Sequence, residues 1–146
     1  MKKEIMKSSF IGRFIFNAGS YPLDRSNARS GLMVIINGSK AIEAGRPIGV
    51  YIEGTRSKGP DLLPFHDGSL KMAMKAKKEI VVAITDNTYM IKKRFPFRRT
   101  KILFKICKVY RCEDYQNKTT IELGDKIKNV MIDNLNQSRE KYNNYR

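Results

Sequence analysis

Two arginines in this 146-residue chain follow short apolar segments, and each could bind a phosphate group. Arg25 follows Leu23-Asp24, and Arg56 lies in the run Glu53-Gly54-Thr55-Arg56-Ser57. A guanidinium group is planar and presents paired donors that match phosphate oxygens, while Gly54 lets the backbone approach a ligand closely. If both arginines stand at strand ends, where open α/β sheets bind ligands, they form a phosphate-monoester site. The alternative is that they make only structural ion pairs.

The residues around these arginines predict the helices and strands that would position them. Apolar residues at helical spacing predict one helix that ends at Gly19 and another over residues 27–44, capped by Ser26. Strands are predicted at residues 20–23, 48–52, 80–84 and 101–109, a further helix at about residues 69–77, and a last helix that opens with the capping box Thr119-x-x-Glu122. In the strand at residues 101–109, Ile102, Phe104 and Ile106 share one face.

The order of these elements indicates the fold class. Strand, helix and strand follow each other across residues 48–84, which is typical of a parallel βαβ unit. We therefore predict an α/β fold with a mixed, largely parallel sheet flanked by helices. No repeat or low-complexity linker divides the chain, so we predict a single domain over residues 1–146. The polar residues 138–146 are predicted to form a frayed tail.

The composition excludes several classes of protein. Apolar residues make up 41% of the chain, which suffices for a packed core, and no apolar run approaches the roughly 18 residues of a membrane-spanning helix. Residues 1–7 are basic, but polar residues interrupt the segment after them, unlike a signal peptide. Cys107 and Cys112 are too far apart for a redox or zinc pair. We therefore predict two reduced cysteines, in and just after a strand, and no metal site.

The formal net charge of +15 indicates an anionic partner. Nucleic acid, an anionic membrane surface and phosphorylated substrates are all compatible with it. Basic residues cluster at 75–78 and at 92–99, where Phe95 and Phe97 are interleaved. No helix-turn-helix, zinc or RNA-recognition pattern accompanies the charge, so we predict no nucleic-acid partner. Phe95 and Phe97 would suit a membrane interface, although packing in the core is the alternative that we favour.

Three ordered blocks of the sequence resemble conserved blocks of the glycerolipid acyltransferases. The run Glu53-Gly54-Thr55-Arg56-Ser57, continued by Leu62-Leu63-Pro64-Phe65 and Gly68-Ser69, is similar to the family's third block, F-P-E-G-T-R-S followed by L-P-F-K-x-G. Residues 19–27 resemble its second block, and residues 80–84 resemble its fourth block, V-P-V-A-I. The resemblance extends from Lys2 to about Val109 and identifies the 1-acylglycerol-3-phosphate acyltransferase family, because three ordered blocks are more specific than one short motif.

The resemblance implies an enzyme of phospholipid biosynthesis that needs no cofactor. A fatty acyl group would pass from acyl carrier protein or coenzyme A to the free hydroxyl of 1-acylglycerol 3-phosphate (lysophosphatidic acid), giving phosphatidate. Arg25 and Arg56 would hold the substrate phosphate, Glu53 and Gly54 would shape the glycerol pocket, and Thr55 belongs to the same substrate-binding set. The protein would be cytoplasmic and peripheral on the inner face of the cell membrane, with the anionic membrane surface as a partner.

The sequence departs from the family pattern at four positions that influence the local backbone. Tyr51 and Ile52 replace the phenylalanine and proline before the third block, and Val81 replaces the proline of the fourth block. Pro22 stands where the second block has an apolar strand residue. These changes alter backbone preferences but remove no reacting group.

The family's first block, H-x-x-x-x-D, is absent from the sequence. An alcohol is a poor nucleophile without a base, and losing a histidine base costs roughly 10²–10⁴ in rate. The single histidine is His66, and Lys71 stands five positions after it, where the block would need an aspartate. We therefore predict that His66 is an exposed loop residue and that this chain has no catalytic residue.

The first residues offer an interpretation of this absence. Residues 2–12 resemble the stretch that follows the first block, so we expect an N-terminally truncated chain that begins after that motif. By itself such a chain would be inactive or nearly so. The alternative function is a non-catalytic module that binds lysophospholipid or an anionic membrane.

Overall fold

The structure is a computed structural model, and it describes residues 27–142. The chain divides into two compact units, Met1–Ile48 and Gly49–Arg146. The helix predicted to end at Gly19, the strand predicted at residues 20–23 and the predicted phosphate ligand Arg25 all lie outside the described residues. Within residues 27–142, no helix is both long enough and apolar enough to cross a membrane.

The described part of the first unit contains helix α1, Ala28–Glu43. The Asn27 side chain accepts a hydrogen bond from the Arg29 N–H at 2.9 Å, which satisfies one of the free donors at the helix start. The predicted helix is confirmed, with Asn27 as its N-cap where the prediction had Ser26. The helix ends where Gly45 adopts a φ of 81°, a conformation that glycine takes without strain.

The second unit combines helices with two strands. In chain order its elements are a 3₁₀ turn at Asp67–Leu70, α2 Lys71–Ala76, β1 Ile80–Asp86, a 3₁₀ turn at Thr88–Met90, α3 Ile91–Arg94, β2 Leu103–Tyr110, α4 Cys112–Tyr115 and α5 Thr120–Lys141. The strands predicted at residues 80–84 and 101–109 are confirmed, as are the helices predicted at about residues 69–77 and after Thr119. The α/β class is confirmed with them.

The two strands pair in the antiparallel direction. Ile80 lies opposite Tyr110 and Asp86 lies opposite Leu103, with one irregularity in register between Val82 and Ala83. The sheet of the described residues therefore has two antiparallel strands where the prediction had a largely parallel sheet. An apolar run indicates that a strand is buried, but it carries no information about the direction of the neighbouring strand.

The prediction of a strand at residues 48–52 is wrong. Residues 46–51 form no regular element, and Tyr51 is 83% exposed. No strand of residues 27–142 pairs with this segment, and a strand needs a neighbour for its backbone N–H and C=O groups. The βαβ unit that depended on this strand is therefore absent from the part of the chain that the structure describes.

One face of the sheet packs against helix α5 and forms the core of the second unit. Leu123, Ile127, Met131 and Leu135 recur at helical spacing and are buried against the sheet. The remaining members of this buried cluster are Leu70, Val82, Ile84, Tyr110 and Tyr115. Gly124 lets α5 approach the Asp67 carboxylate, because a Cβ there would lie 2.1 Å from Asp67 Oδ1.

The opposite face of the sheet is apolar and exposed. Ile102, Phe104 and Ile106 share a face as predicted, and all three are exposed, as are Val81 and Val109. Alternation along a strand shows which residues share a face, whereas the packing of other elements decides which face is buried. Here α5 covers the face that carries Val82 and Ile84.

Both ends of helix α5 are held by specific contacts. The predicted capping box is present: Thr119 Oγ1 accepts from the Glu122 N–H at 3.2 Å, and a Glu122 carboxylate oxygen accepts from the Thr119 N–H at 2.7 Å. The prediction of a frayed tail from residue 138 is wrong for residues 138–141, which continue the helix. Ser138 is buried and Arg139 pairs with a buried carboxylate, so these residues are fixed by tertiary contacts. Residues 143–146 lie outside the described range.

Both cysteines are free thiols, as predicted. Cys107 lies in β2, and Cys112 begins α4 directly after the strand. Partial burial raises the pKa of the Cys107 thiol, which favours the uncharged form.

Candidate functional site

Four of the five residues predicted for the substrate site, Glu53 to Arg56, lie in a loop that two backbone hydrogen bonds shape at its base. The Gly54 N–H donates to the Tyr51 carbonyl oxygen at 2.9 Å and forms a tight turn at the start of the loop. The His66 N–H donates to the Ile52 carbonyl oxygen at 2.8 Å and joins the two ends of the loop. The two ends of the segment formed by residues 53–65 therefore lie close together. We call this segment the acceptor loop. No strand precedes the loop within the described residues, so contacts made by the loop itself, and not a strand end, give it this shape.

Glu53 braces the acceptor loop across ten residues. One of its carboxylate oxygens accepts a hydrogen bond from the Leu63 N–H at 2.8 Å, and the Glu53 side chain is partly buried. A hydrogen bond to an ionised carboxylate is stronger than one between neutral groups. The side chain predicted to shape the glycerol pocket is thus held in place, and its contact with substrate stays a prediction.

Gly54 occupies a position that only glycine fits without strain. Its φ is +64°, in the left-handed region. A Cβ at this position would lie 2.5 Å from His66 Cδ2, so the imidazole ring lies directly over the glycine. The sequence predicts His66 to be an exposed loop residue, and it is exposed. The structure adds that this ring lies against the acceptor loop.

The tip of the acceptor loop is closed by Ser57. Its hydroxyl donates to the Gly59 carbonyl at 2.8 Å or the Asp61 carbonyl at 3.1 Å, and it accepts from the Gly59 N–H at 3.3 Å. Thr55 and Arg56, which precede Ser57, are both exposed. Ordered residues on either side therefore hold the backbone that presents these two side chains to solvent.

Arg56 makes no ion pair with any residue in the range 27–142. The alternative from the sequence, that Arg56 makes only a structural ion pair, therefore has no support within the described residues. An exposed guanidinium without a carboxylate partner can bind phosphate oxygens through paired N–H donors. The second predicted phosphate ligand, Arg25, lies outside the described residues, so the pairing of the two arginines stays a prediction.

Arg139 on helix α5 fixes the acceptor loop from outside, a contact that the sequence analysis did not predict. Its guanidinium donates to the Pro60 carbonyl oxygen in the loop. The same group donates to both carboxylate oxygens of Asp86 at the end of β1, at 2.8 and 3.1 Å. Arg139 thereby ties the loop to the sheet and to α5. No sequence signal reports this contact, because the partners lie 79 and 53 residues away along the chain.

Among the described residues, the loop presents a guanidinium group whose chemistry suits an anion, and it contains no histidine–aspartate pair of the acyl-transfer type. The one histidine of the chain is His66, and the aspartate beside it in sequence, Asp67, faces Gly124 of α5. Within residues 27–142, no cluster of three or more metal-ligating side chains is present. Binding of an anion by Arg56 stays a prediction, and the sequence contains no H-x-x-x-x-D block.

Comparisons with known proteins agree with one another. The family model described as Acyltransferase matches residues 1–91. The chain is 29% identical over 93% of its length to 1-acyl-sn-glycerol-3-phosphate acyltransferase of Saccharomyces cerevisiae, covering 46% of that protein. It is 31% identical over 60% of its length to the protein of the same name from Borreliella burgdorferi, covering 35% of it. The Salmonella typhimurium protein of that name is 32% identical over 60% of the chain, with 36% of its own length covered. The chain thus spans less than half the length of these relatives, and no solved structure matches it.

Proposed function

The chain belongs to the Acyltransferase family, and we propose that it carries the acceptor-phosphate site of a 1-acylglycerol-3-phosphate acyltransferase. The names of its relatives support this substrate. In the proposed reaction the free hydroxyl of 1-acylglycerol 3-phosphate attacks the carbonyl carbon of an acyl thioester. A new ester bond forms, the carbon–sulfur bond breaks, the hydroxyl proton passes to a base, and the products are phosphatidate and a thiol. A glycerolipid acyltransferase-like fold is part of the proposal.

One observation carries the proposal: Arg56 is exposed, without an ion-pair partner in the described range, on a loop whose backbone is held from several sides. Glu53, Ser57 and Arg139 each hydrogen-bond to loop backbone. A loop whose backbone is already held in place loses less conformational entropy when it binds a ligand. Arg25 is the proposed second ligand of the same phosphate, and Gly54 and Thr55 would line the acceptor site.

The acyl donor and the location of the protein follow from the same proposal. Acyl carrier protein or coenzyme A would deliver the acyl thioester, and no other cofactor would take part. The acceptor and the product are lipids, and the chain carries a formal net charge of +15. We therefore place the protein on the cytoplasmic face of an anionic membrane, as a peripheral protein.

Phosphate binding by Arg56 can be tested with a short-chain, water-soluble 1-acylglycerol 3-phosphate in titration calorimetry. Arg56→Gln should weaken binding roughly 10- to 100-fold, because hydrogen bonds to charged groups contribute about 1.5–3 kcal/mol. The matched control is Lys58→Gln, which removes an exposed positive charge two residues away and should change binding less than about threefold if Arg56 contacts the phosphate directly. The corresponding monoacylglycerol, which lacks phosphate, should bind both variants and the parent protein equally weakly. Equal losses in the two variants would show that only general charge attracts the ligand.

Turnover by the purified 146-residue chain separates an enzyme from a binding module. We propose that this polypeptide alone shows little or no acyl transfer, because its only histidine is an exposed residue without a paired aspartate. Binding of the lysophospholipid without turnover would support the alternative of a non-catalytic binding module for this polypeptide. Measurable formation of phosphatidate that His66→Ala abolishes would contradict the proposal and identify His66 as the base.

A further inference from the structure

The segment between the two strands presents two phenylalanine rings to solvent. Phe95 is 75% exposed and Phe97 is 93% exposed, so the core packing favoured from the sequence is wrong for both. They belong to the run Lys92-Lys93-Arg94-Phe95-Pro96-Phe97-Arg98-Arg99, which we call the basic-aromatic loop. Single exposed apolar residues are common, but two exposed aromatic rings separated by one residue in the same loop offer more apolar surface than a single residue.

The same loop concentrates positive charge. Five of its eight residues are lysine or arginine, and none is acidic. Four of the five cationic side chains are exposed, and none of the five forms a salt bridge with a residue in the range 27–142. Charge of one sign on a short segment repels itself and favours an anionic partner. An anionic surface would offset that repulsion.

The backbone of the basic-aromatic loop is hydrogen-bonded within the loop region itself. The Phe95 N–H donates to the Ile91 carbonyl at 2.8 Å, and the Arg98 N–H donates to the Arg94 carbonyl at 2.8 Å. These bonds give the tip a defined shape without using the phenylalanine rings as packing groups. The rings are therefore available for contact with another surface, and their removal is not expected to unfold the protein.

We propose that the basic-aromatic loop is the surface through which this protein docks on an anionic lipid bilayer. The phenylalanine rings enter the interfacial region, and the surrounding cations lie at the level of the lipid phosphates. A bilayer accommodates both parts of the loop, because it offers apolar depth beneath an anionic surface. A nucleic-acid duplex offers phosphates, but it accepts an apolar ring only between base steps and at the cost of unstacking them. The inference rests on the membrane partner of the proposed function and is independent of Arg56.

The test measures sedimentation of the full chain with vesicles of phosphatidylglycerol and phosphatidylcholine, compared with vesicles of phosphatidylcholine alone. Phe95→Ser combined with Phe97→Ser should lower binding at least roughly tenfold, since burying one such ring contributes about 1.5–3 kcal/mol. Lys92→Gln combined with Lys93→Gln should lower it roughly 30-fold. That figure takes about 1 kcal/mol for each cation near an anionic surface, and 1.4 kcal/mol for each factor of ten.

Two matched controls place the same chemical changes elsewhere in the second unit. Phe104→Ser removes an exposed phenylalanine from β2, and Lys75→Gln combined with Lys78→Gln removes two exposed cations from the other basic cluster. Both controls should bind vesicles within about threefold of the parent protein if the loop makes the contact. Circular dichroism confirms that each variant is folded before binding is compared.

The outcomes distinguish the inference from the proposed function. Absence of vesicle binding by the parent protein would overturn both the membrane partner and the loop assignment. Parent binding that the loop variants retain, or that the control variants lose equally, would overturn the loop assignment and leave the membrane partner standing. Binding to double-stranded DNA in place of phosphatidylglycerol vesicles, with the same dependence on Lys92 and Lys93, would assign the loop to nucleic acid. Loss in the loop variants alone supports the inference, whatever the result for Arg56.

Discussion

Replacement of Arg139 by methionine should destabilise the second unit more than replacement of Arg111, because the Arg139 ion pair is largely buried and the Arg111 pair is exposed. The Arg139 guanidinium makes two hydrogen bonds to the Asp86 carboxylate, whose side chain is only 3% exposed, while that of Arg139 is 19% exposed. Methionine keeps much of the apolar stem of arginine. The change therefore isolates the loss of the charged group that pairs with the buried Asp86 carboxylate.

The expected magnitude follows from the burial of the pair. Removing one partner of a buried ion pair costs about 3–5 kcal/mol, because the other charge stays buried and uncompensated. Arg139 is partly exposed, so the lower end, about 3 kcal/mol, is expected. The lost hydrogen bond to the Pro60 carbonyl adds to this cost and releases the acceptor loop. Asp86→Asn in the Arg139→Met background removes the buried charge and should restore about 1–2 kcal/mol.

Urea unfolding monitored by circular dichroism measures these differences, with the free energy of unfolding obtained by linear extrapolation. The matched control is Arg111→Met. The Arg111 guanidinium lies 3.9 Å from a Glu79 carboxylate oxygen, and the two side chains are 75% and 63% exposed. An exposed pair of this kind contributes about 0–1 kcal/mol, so the control should stay within that range. A cost below about 1 kcal/mol for Arg139→Met, or equal costs for the two arginines, would refute the argument from burial.

Three further outcomes are expected. Gly54→Ala should lower the free energy of unfolding by about 1–2 kcal/mol, because alanine is strained at a φ of +64°. Adding His66→Ala to this variant should restore only the part of the loss that comes from the clash with the imidazole ring, as measured by urea unfolding. Tyr115→Phe should cost about 1–2 kcal/mol, because the Tyr115 hydroxyl donates to the Lys78 carbonyl oxygen; equal melting temperatures of the two proteins would contradict this. Hydrogen bonds from the Thr119 backbone and side chain lower the pKa of Glu122 from its ordinary value in the folded protein. Its stabilising contribution is therefore fully present above the pKa of the unfolded chain and is lost as the pH falls through the lower folded-state pKa. Glu122→Gln should flatten this part of the stability–pH curve, and an unchanged slope would show that the capping box does not titrate.

Much of the local structure could be predicted from short-range patterns. The period of Leu123, Ile127 and Met131, together with the capping box at Thr119, predicts α5, because a helix is defined by contacts three and four residues apart. The apolar run at residues 80–84 predicts β1 in the same way. Gly54 and Arg56 are predicted from the chemistry of their side chains and Glu53 and Thr55 from the family resemblance, and all four lie in the acceptor loop.

Other features could not be read from the sequence, because they depend on which elements meet in space. Whether residues 48–52 form a strand depends on a partner segment, and none of the described residues supplies one. The sequence around Phe95 and Phe97 does not distinguish a buried ring from an exposed one. Only the fold shows that both rings are exposed. The exposed face of β2 is a similar case, since alternation does not identify the face that α5 covers.

The sequence by itself determined the chemistry that this protein can offer: a loop with an arginine suited to phosphate, a large positive charge, and a single histidine without the spacing of a catalytic pair. Only the tertiary structure decided how that chemistry is presented. Asp86, Pro60 and Arg139 are distant along the chain, and a contact between distant residues forms only when the core of the second unit has brought β1, the acceptor loop and α5 together. The reason is physical: local patterns encode the conformation of neighbouring residues, whereas burial and long-range pairing are properties of the packed fold.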